Sequence, residues 1–133
     1  LMFQKEVADR IISNYDSKNY GRLSILTDWK LNVKKIIDVK PYSFSPRPKV
    51  ESSVLFFQPK KKYFKLKDSK SLEKITRTFF MHRRKMIKKP YNQLFNGKTM
   101  VSKNLNINLN LRPQNLSCET YFKLAFEYEK SNS

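Results

Sequence analysis

Only two glycines, Gly21 and Gly97, occur in the 133 residues. A loop that wraps a phosphate or a nucleotide needs several glycines close together between a strand and a helix, so neither residue supplies one. A single cysteine, Cys118, excludes an internal disulfide, and with one histidine, His82, it leaves no Cys/His cluster for a metal. Such cysteine usage fits a reducing compartment, and the expected location is the cytoplasm. No uninterrupted apolar run has the length of a spanning helix, and no signal-peptide layout is present, so no membrane partner is expected. Acidic residues are scarce too: 11 Asp and Glu face 28 Lys and Arg, for a net charge of +17. That imbalance opposes compaction of an isolated chain and favours a polyanionic partner.

The positive charge is concentrated. Residues 60–98 carry 14 basic and 2 acidic groups, against 10 and 6 in residues 1–59 and 4 and 3 in residues 99–133. A merely soluble surface intersperses signs, so the middle block reads as a phosphate-facing patch. Proline is concentrated as well, with three of its six residues between Lys40 and Val54. Each proline fixes its own φ and pushes the preceding residue out of the α region, which makes residues 42–49 an extended connection. That connection presents Phe44 beside Arg47 and Lys49. One aromatic and two cations suit stacking on a base while holding its phosphates, and Phe44 as a plug in the core is the other reading.

Around this stretch the periodicity assigns elements. Residues 1–3 read as the tail of a strand, and residues 4–13 as a helix in which Phe3, Val7 and Ile11 recur every fourth position. Residues 14–19 read as a surface loop. Arg22 suits either a phosphate or a structural salt bridge near Gly21. Residues 23–29 form a short helix ending at the only tryptophan, and residues 33–39 and 52–58 read as strands. The second of these strands is too continuously apolar for one solvated face. Residues 59–63 mark a boundary, after which the pattern turns helical. Ser69 or Ser71 caps a helix with the stripe Leu72, Ile75, Phe79 and Met86, while Lys74, Arg77, Arg84 and Lys88 share another face. Pro90 should kink or end that helix near Lys89. His82, near the apolar side, reads as structural or as an RNA contact, and not as catalytic. Residues 92–98 read as a turn around Gly97 and residues 99–105 as a short helix, while residues 104–110 alternate Asn with Leu or Ile in a pattern that imitates an edge strand. Ser117 caps a last helix over 118–129 with Tyr121, Leu124, Ala125 and Tyr128 on one face. Glu127 and Glu129 sit unfavourably at its C-terminus, so that end should fray.

Five blocks in order resemble a known family. Phe44-Ser45-Pro46-Arg47-Pro48-Lys49-Val50-Glu51-Ser52-Ser53-Val54 resembles the Phe-x-Pro-x-Pro-Lys-Val-x-Ser-x-Val signature of the KsgA-type ribosomal RNA adenine dimethyltransferases. Leu1-Met2-Phe3-Gln4-Lys5-Glu6-Val7-Ala8 and Tyr20-Gly21-Arg22-Leu23-Ser24 match two upstream blocks. Phe79-Phe80-Met81-His82-Arg83-Arg84-Lys85 resembles the family's Arg-Arg-Lys helix, and Arg112-Pro113-Gln114-Asn115-Leu116-Ser117 the entry to its last helix. The antibiotic-resistance adenine methylases of 23S-type RNA are similar in kind, but the proline motif and Arg-Arg-Lys resemble the small-subunit enzymes more.

The resemblance implies an α/β fold, and it places residues 104–110 in a loop between small helices. Residues 1–59 are expected to be the C-terminal part of a Rossmann-like methyltransferase sheet whose last strand runs antiparallel, and residues 60–133 a small helical RNA-binding domain. It implies methylation of adjacent adenines in small-subunit ribosomal RNA by an S-adenosylmethionine-dependent enzyme that works as a monomer. The donor loop, its acidic partner and an Asn-Leu-Pro-Tyr motif do not occur in this chain, so the chain is expected to be a fragment lacking the donor half and inactive alone. Phe44 would stack on the target adenine, with Pro46 and Pro48 shaping the pocket. Arg22, Arg47, Lys49, Arg77, Arg83, Arg84, Lys85 and Lys88 would hold the RNA. A non-catalytic RNA-binding or ribosome-assembly factor is the alternative.

Overall fold

The computed structural model describes residues 1–41 and 50–132. Its α/β part is a three-stranded sheet of β1 (Met2–Gln4), β2 (Leu31–Val39) and β3 (Ser52–Pro59) in the order β1-β3-β2. The central strand β3 is antiparallel to both neighbours, pairing Met2 with Val54 on one side and Val33 with Phe57 on the other. Between β1 and β2 the chain forms α1 (Lys5–Ile12) and α2 (Arg22–Lys30). Helix α1 lies on one sheet face, where Ala8, Ile11 and Leu55 are buried and Phe3, Val7, Val33 and Phe57 pack around them. The continuous apolar run of β3 follows from pleating: Leu55 and Phe57 point towards α1, whereas Val54 and Phe56 point the other way. In β2 the register shifts between Lys35 and Ile37, so Ile36 is an extra residue and Ile37 is paired with Val54. Such a bulge reverses which residues face which side. Ile37 and Phe56 thus share a face and are 56% and 52% exposed.

Beyond the sheet come α3 (Lys70–Phe80), α4 (Lys88–Phe95), α5 (Met100–Asn104), a 3-10 turn (Pro113–Asn115) and α6 (Cys118–Ser131). Their core holds Leu72, Ile75, Phe79, Ile87, Tyr121 and Leu124, together with Tyr20, Ile25 and Trp29 from the first 59 residues. The helical packing therefore reaches back across residue 60 to include α2. Buried tyrosines in this core place their hydroxyls on backbone groups, as buried phenols must. Tyr20 donates to the Leu116 carbonyl at 2.8 Å and Tyr121 to that of Pro113 at 2.5 Å. Tyr91 donates to the Lys98 carbonyl and accepts from the Ser102 amide. The Trp29 indole donates to the Phe64 carbonyl at 2.6 Å.

Several expectations need correction. The helix expected to run from Ser69 or Ser71 to near Lys89 ends at Phe80, and Pro90 does not stop it; Pro90 instead lies in the first turn of α4, where its missing N–H would have had no helical partner. The expected turn over 92–98 shrinks to Asn96 and Gly97, both left-handed, at φ 54° and 72°. With the helix ended, the stripe passes from Phe79 to Ile87: Ile87 is buried, and Met86 is 51% exposed. His82 is exposed rather than near the core. Neither Ser69 nor Ser71 caps α3 through its side chain; Asp68 accepts from the Lys70 amide at 2.8 Å, and Ser71 is buried within the helix. The end of α6 is tied rather than frayed. Glu129 accepts from the Lys67 amide at 3.0 Å and from the Ser71 hydroxyl at 2.8 Å, so its charge serves the N-terminal side of α3. Ser117 does cap α6, accepting from the Thr120 amide at 3.2 Å.

Candidate nucleic-acid interface

Phe44, Pro46, Arg47 and Lys49 lie outside the described residues. The remaining expected contacts fall on three surfaces rather than one, because α3 stops before Arg83 and a turn redirects the chain beyond it.

The first surface is a cleft between α1 and the end of α3, lined by Arg10, Lys18, Arg22, Phe80 and Arg83 with Glu6 at its edge. Arg22 and Arg83 are brought here from blocks about 60 residues apart. Among the described residues Arg22 has no carboxylate partner, and its Nε donates to the Thr76 hydroxyl at 3.4 Å. Arg83 donates to the Lys18 carbonyl at 2.9 Å, lies over the Phe80 ring at 5.7 Å and runs close beside Gly21. A Cβ on Gly21 would come within 3.3 Å of the Arg83 guanidinium. Both guanidiniums are thus oriented by neutral acceptors that leave their charge uncompensated. Glu6 is engaged with Arg10 at 2.8 Å. The rest of the Tyr20-to-Ser24 block is structural: the Gly21 amide donates to the Ser24 hydroxyl at 3.2 Å, and that hydroxyl donates to the Arg10 carbonyl, joining α2 to α1.

The second surface gathers Arg84, Lys85 and Lys88 with Lys89, Asn92 and Arg112; it is apart from Lys74 and Arg77, with which Arg84 and Lys88 were expected to share a helix face, because the helix ends at Phe80. The Ile87 amide donates to the Leu111 carbonyl at 2.8 Å, which docks the segment carrying Arg112 against the start of α4. Arg112 lies too far along the chain for any periodicity to place it here. The third surface holds Arg77 with Lys67, Lys70 and Lys74, but Asp68, Glu73 and Glu129 line the same cleft, so its charge is mixed. Among the described residues, no ion pair holds Arg22, Arg77, Arg83, Arg84, Lys85 or Lys88. Cations left without carboxylates on a chain of this net charge form a surface that phosphates complete.

Away from these surfaces Tyr20 and Cys118 meet, with the phenol 3.6 Å from the thiol. Burial pushes the Cys118 thiol up to about 11, although its hydrogen bond with Tyr20 pulls the other way. Burial, then the nearby thiol, raises the Tyr20 phenol well above its ordinary range, and burial does the same to Tyr121. Neither group of the pair is ionised near neutrality, so the pair is no nucleophile. Among the described residues no group of His, Cys, Asp and Glu is placed to hold a metal, and no helix is long and apolar enough to cross a membrane.

Comparison with known proteins accounts for the ordered blocks. The family model for ribosomal RNA adenine dimethylase matches residues 1–130. Ribosomal RNA small subunit methyltransferase A of Pelagibacter ubique is 67% identical over 129 residues, which cover 97% of this chain and 49% of that protein. The protein of the same name from Ehrlichia canis is 46% identical, over 94% of this chain and 48% of its own length. The chain therefore spans about half the length of the curated relatives it matches. A dimethyladenosine transferase from Plasmodium falciparum superposes with a TM-score of 0.83 at 28% identity, covering 99% of this chain and 57% of that one. The 23S rRNA methyltransferase ErmE, at 16% identity and a TM-score of 0.59, shares the fold alone. With nearly every residue inside the family match and the α/β architecture common to both structures, the chain belongs to the ribosomal RNA adenine dimethylase family.

Proposed function

We propose that this chain is the RNA-holding, C-terminal part of a monomeric enzyme that transfers methyl groups from S-adenosylmethionine to the N6 atoms of adjacent adenines in small-subunit ribosomal RNA, and so takes part in ribosome biogenesis. The observation that carries this reading is the family match over residues 1–130, on a chain whose matching Arg83, Arg84 and Lys85 line two surface clefts without a carboxylate partner among the described residues. Transfer to an exocyclic amine needs the base out of its stack and held in line with the donor. The cations fix the RNA backbone, which positions the substrate but carries no base code. Phe44, with Pro46 and Pro48, would take the extruded adenine, and Arg47 and Lys49 its phosphates.

S-adenosylmethionine is the donor this family implies, and the described residues do not fit it. Gly21 opens α2 after a turn rather than a strand, Gly97 closes α4, and the three strands pair antiparallel, so no parallel strand ends in a nucleotide crevice. The donor is therefore assigned to residues outside this chain. Calorimetric titration of the 133-residue chain with S-adenosylmethionine should show no binding tighter than about micromolar, roughly −8 kcal/mol. The same chain should bind ribosomal RNA with an affinity that falls steeply as salt rises. Tight donor binding would overturn the assignment of the donor, and RNA binding indifferent to salt would overturn the RNA reading.

A further inference from the structure

The second basic surface is an open depression of about 620 Å³, lined by Arg84, Lys85, Lys88, Lys89 and Arg112 and also by Met86. Met86 is 51% exposed. Among the described residues no carboxylate lines the cavity, and no ion pair holds any of its five cations. A duplex backbone needs only the cations, and a half-exposed thioether among them contributes nothing to it. A thioether is, however, a polarisable surface on which an aromatic ring rests. Guanidinium planes at the rim serve the same purpose. Asn92 supplies a donor and an acceptor at the edge of the cavity.

The backbone holds this arrangement in place. Pro90 sits in the first turn of α4, so Lys88 and Lys89 stand at its start. Ile87 is fully buried beneath them, and its bond to Leu111 fixes the Arg112 side of the cavity. From this we infer that the Met86 cavity takes one unpaired nucleotide of the bound RNA, its base over the Met86 side chain and its phosphates on the surrounding cations. The inference rests on the RNA-holding reading above but adds a second base contact, separate from Phe44. It assigns this surface to single-stranded or bulged RNA rather than to duplex.

The test uses the 133-residue chain and two probes of equal length and equal phosphate count, a short uridylate oligomer and an abasic phosphodiester oligomer, followed by fluorescence anisotropy. The wild-type chain should prefer the oligomer with bases by about fivefold or more, the low end of what one stacked base contributes. Met86→Ala, at an exposed position that leaves the core intact, should shrink that preference while leaving affinity for the abasic oligomer unchanged. Lys88→Ala should weaken both probes alike. Equal binding of the two probes by the wild type, or a preference that survives Met86→Ala, overturns the inference while leaving the RNA reading intact. Failure to bind either probe or ribosomal RNA overturns both.

Discussion

Arg83 and Arg84 are adjacent in one basic block, yet their substitutions should separate stability from RNA binding. Arg83 donates to the Lys18 carbonyl and lies over Phe80, while its guanidinium runs close beside Gly21. At an exposed site the hydrogen bond contributes about 1 kcal/mol. The ring contact adds about 0.5 kcal/mol. Arg83→Ala should therefore cost about 1.5 kcal/mol. An unfolding entropy of roughly 2.1 cal/mol/K per residue over a chain of this length gives about 0.28 kcal/mol/K, so Tm should fall by about 5 °C. Arg84 is exposed and makes no hydrogen bond or ion pair among the described residues, so Arg84→Ala should leave Tm within about 1 °C. It should instead flatten the dependence of log K on log salt by about 0.7 to 0.9, the amount one lost phosphate contact removes. Arg83→Lys isolates the strut from the charge: it keeps the cation but loses the planar fork, so Tm should drop while the salt slope is retained. Differential scanning fluorimetry and salt-titrated anisotropy on the three variants give both readouts. An Arg83→Ala chain that melts with the wild type, or an Arg84→Ala chain that melts as low as Arg83→Ala, would refute this division of labour.

Cys118 should resist alkylation at pH 8 until the chain unfolds, since a thiol near 11 is ionised to only about one part in a thousand there. Because burial raises the folded value above the unfolded one, the stability linked to this thiol is present below the unfolded pKa and is lost as pH rises from about 8.5 through about 11. Native and denatured chains labelled by iodoacetamide at equal rates would refute the burial argument. In the proposed longer methyltransferase, Phe44→Ala should lower single-turnover methylation while leaving the salt slope of RNA binding nearly unchanged, because stacking contributes only once a base is extruded. A variant that is destabilised but methylates at the normal single-turnover rate would assign Phe44 to the core instead.

The legibility of the fold in the sequence was uneven, for physical reasons. Helix α6 was readable because a capping serine and a four-residue apolar rhythm act locally, and β3 because its apolar run exceeds what one face can bury. The end of α3 was not. Ile87 rather than Met86 enters the core once the chain has turned, and no period survives a turn. Pro90 is compatible with the start of a helix as well as with its end, and only the three-dimensional path distinguishes them. Glu129 looked misplaced because its partners, Lys67 and Ser71, stand about 60 residues upstream. At the candidate interface, the adjacent charges Arg84 and Lys85 were readable from the sequence and the parting of Lys88 from Lys74 and Arg77 was not, while Arg112 joins them through a backbone bond from Ile87 to Leu111 that leaves no trace in composition.

The sheet face opposite α1, carrying Ile37 and Phe56, sets a colloidal condition on measurements with this chain. At low salt a net charge of +17 keeps copies apart, since their repulsion extends over a Debye length of about 10 Å at 0.1 M and shrinks to about 3 Å at 1 M. The salt that releases RNA also removes this barrier, and apolar strands facing water then become free to meet. Loss of RNA signal at high salt therefore has two sources with opposite dependence on protein concentration: dissociation lessens as the chain is concentrated, and self-association grows.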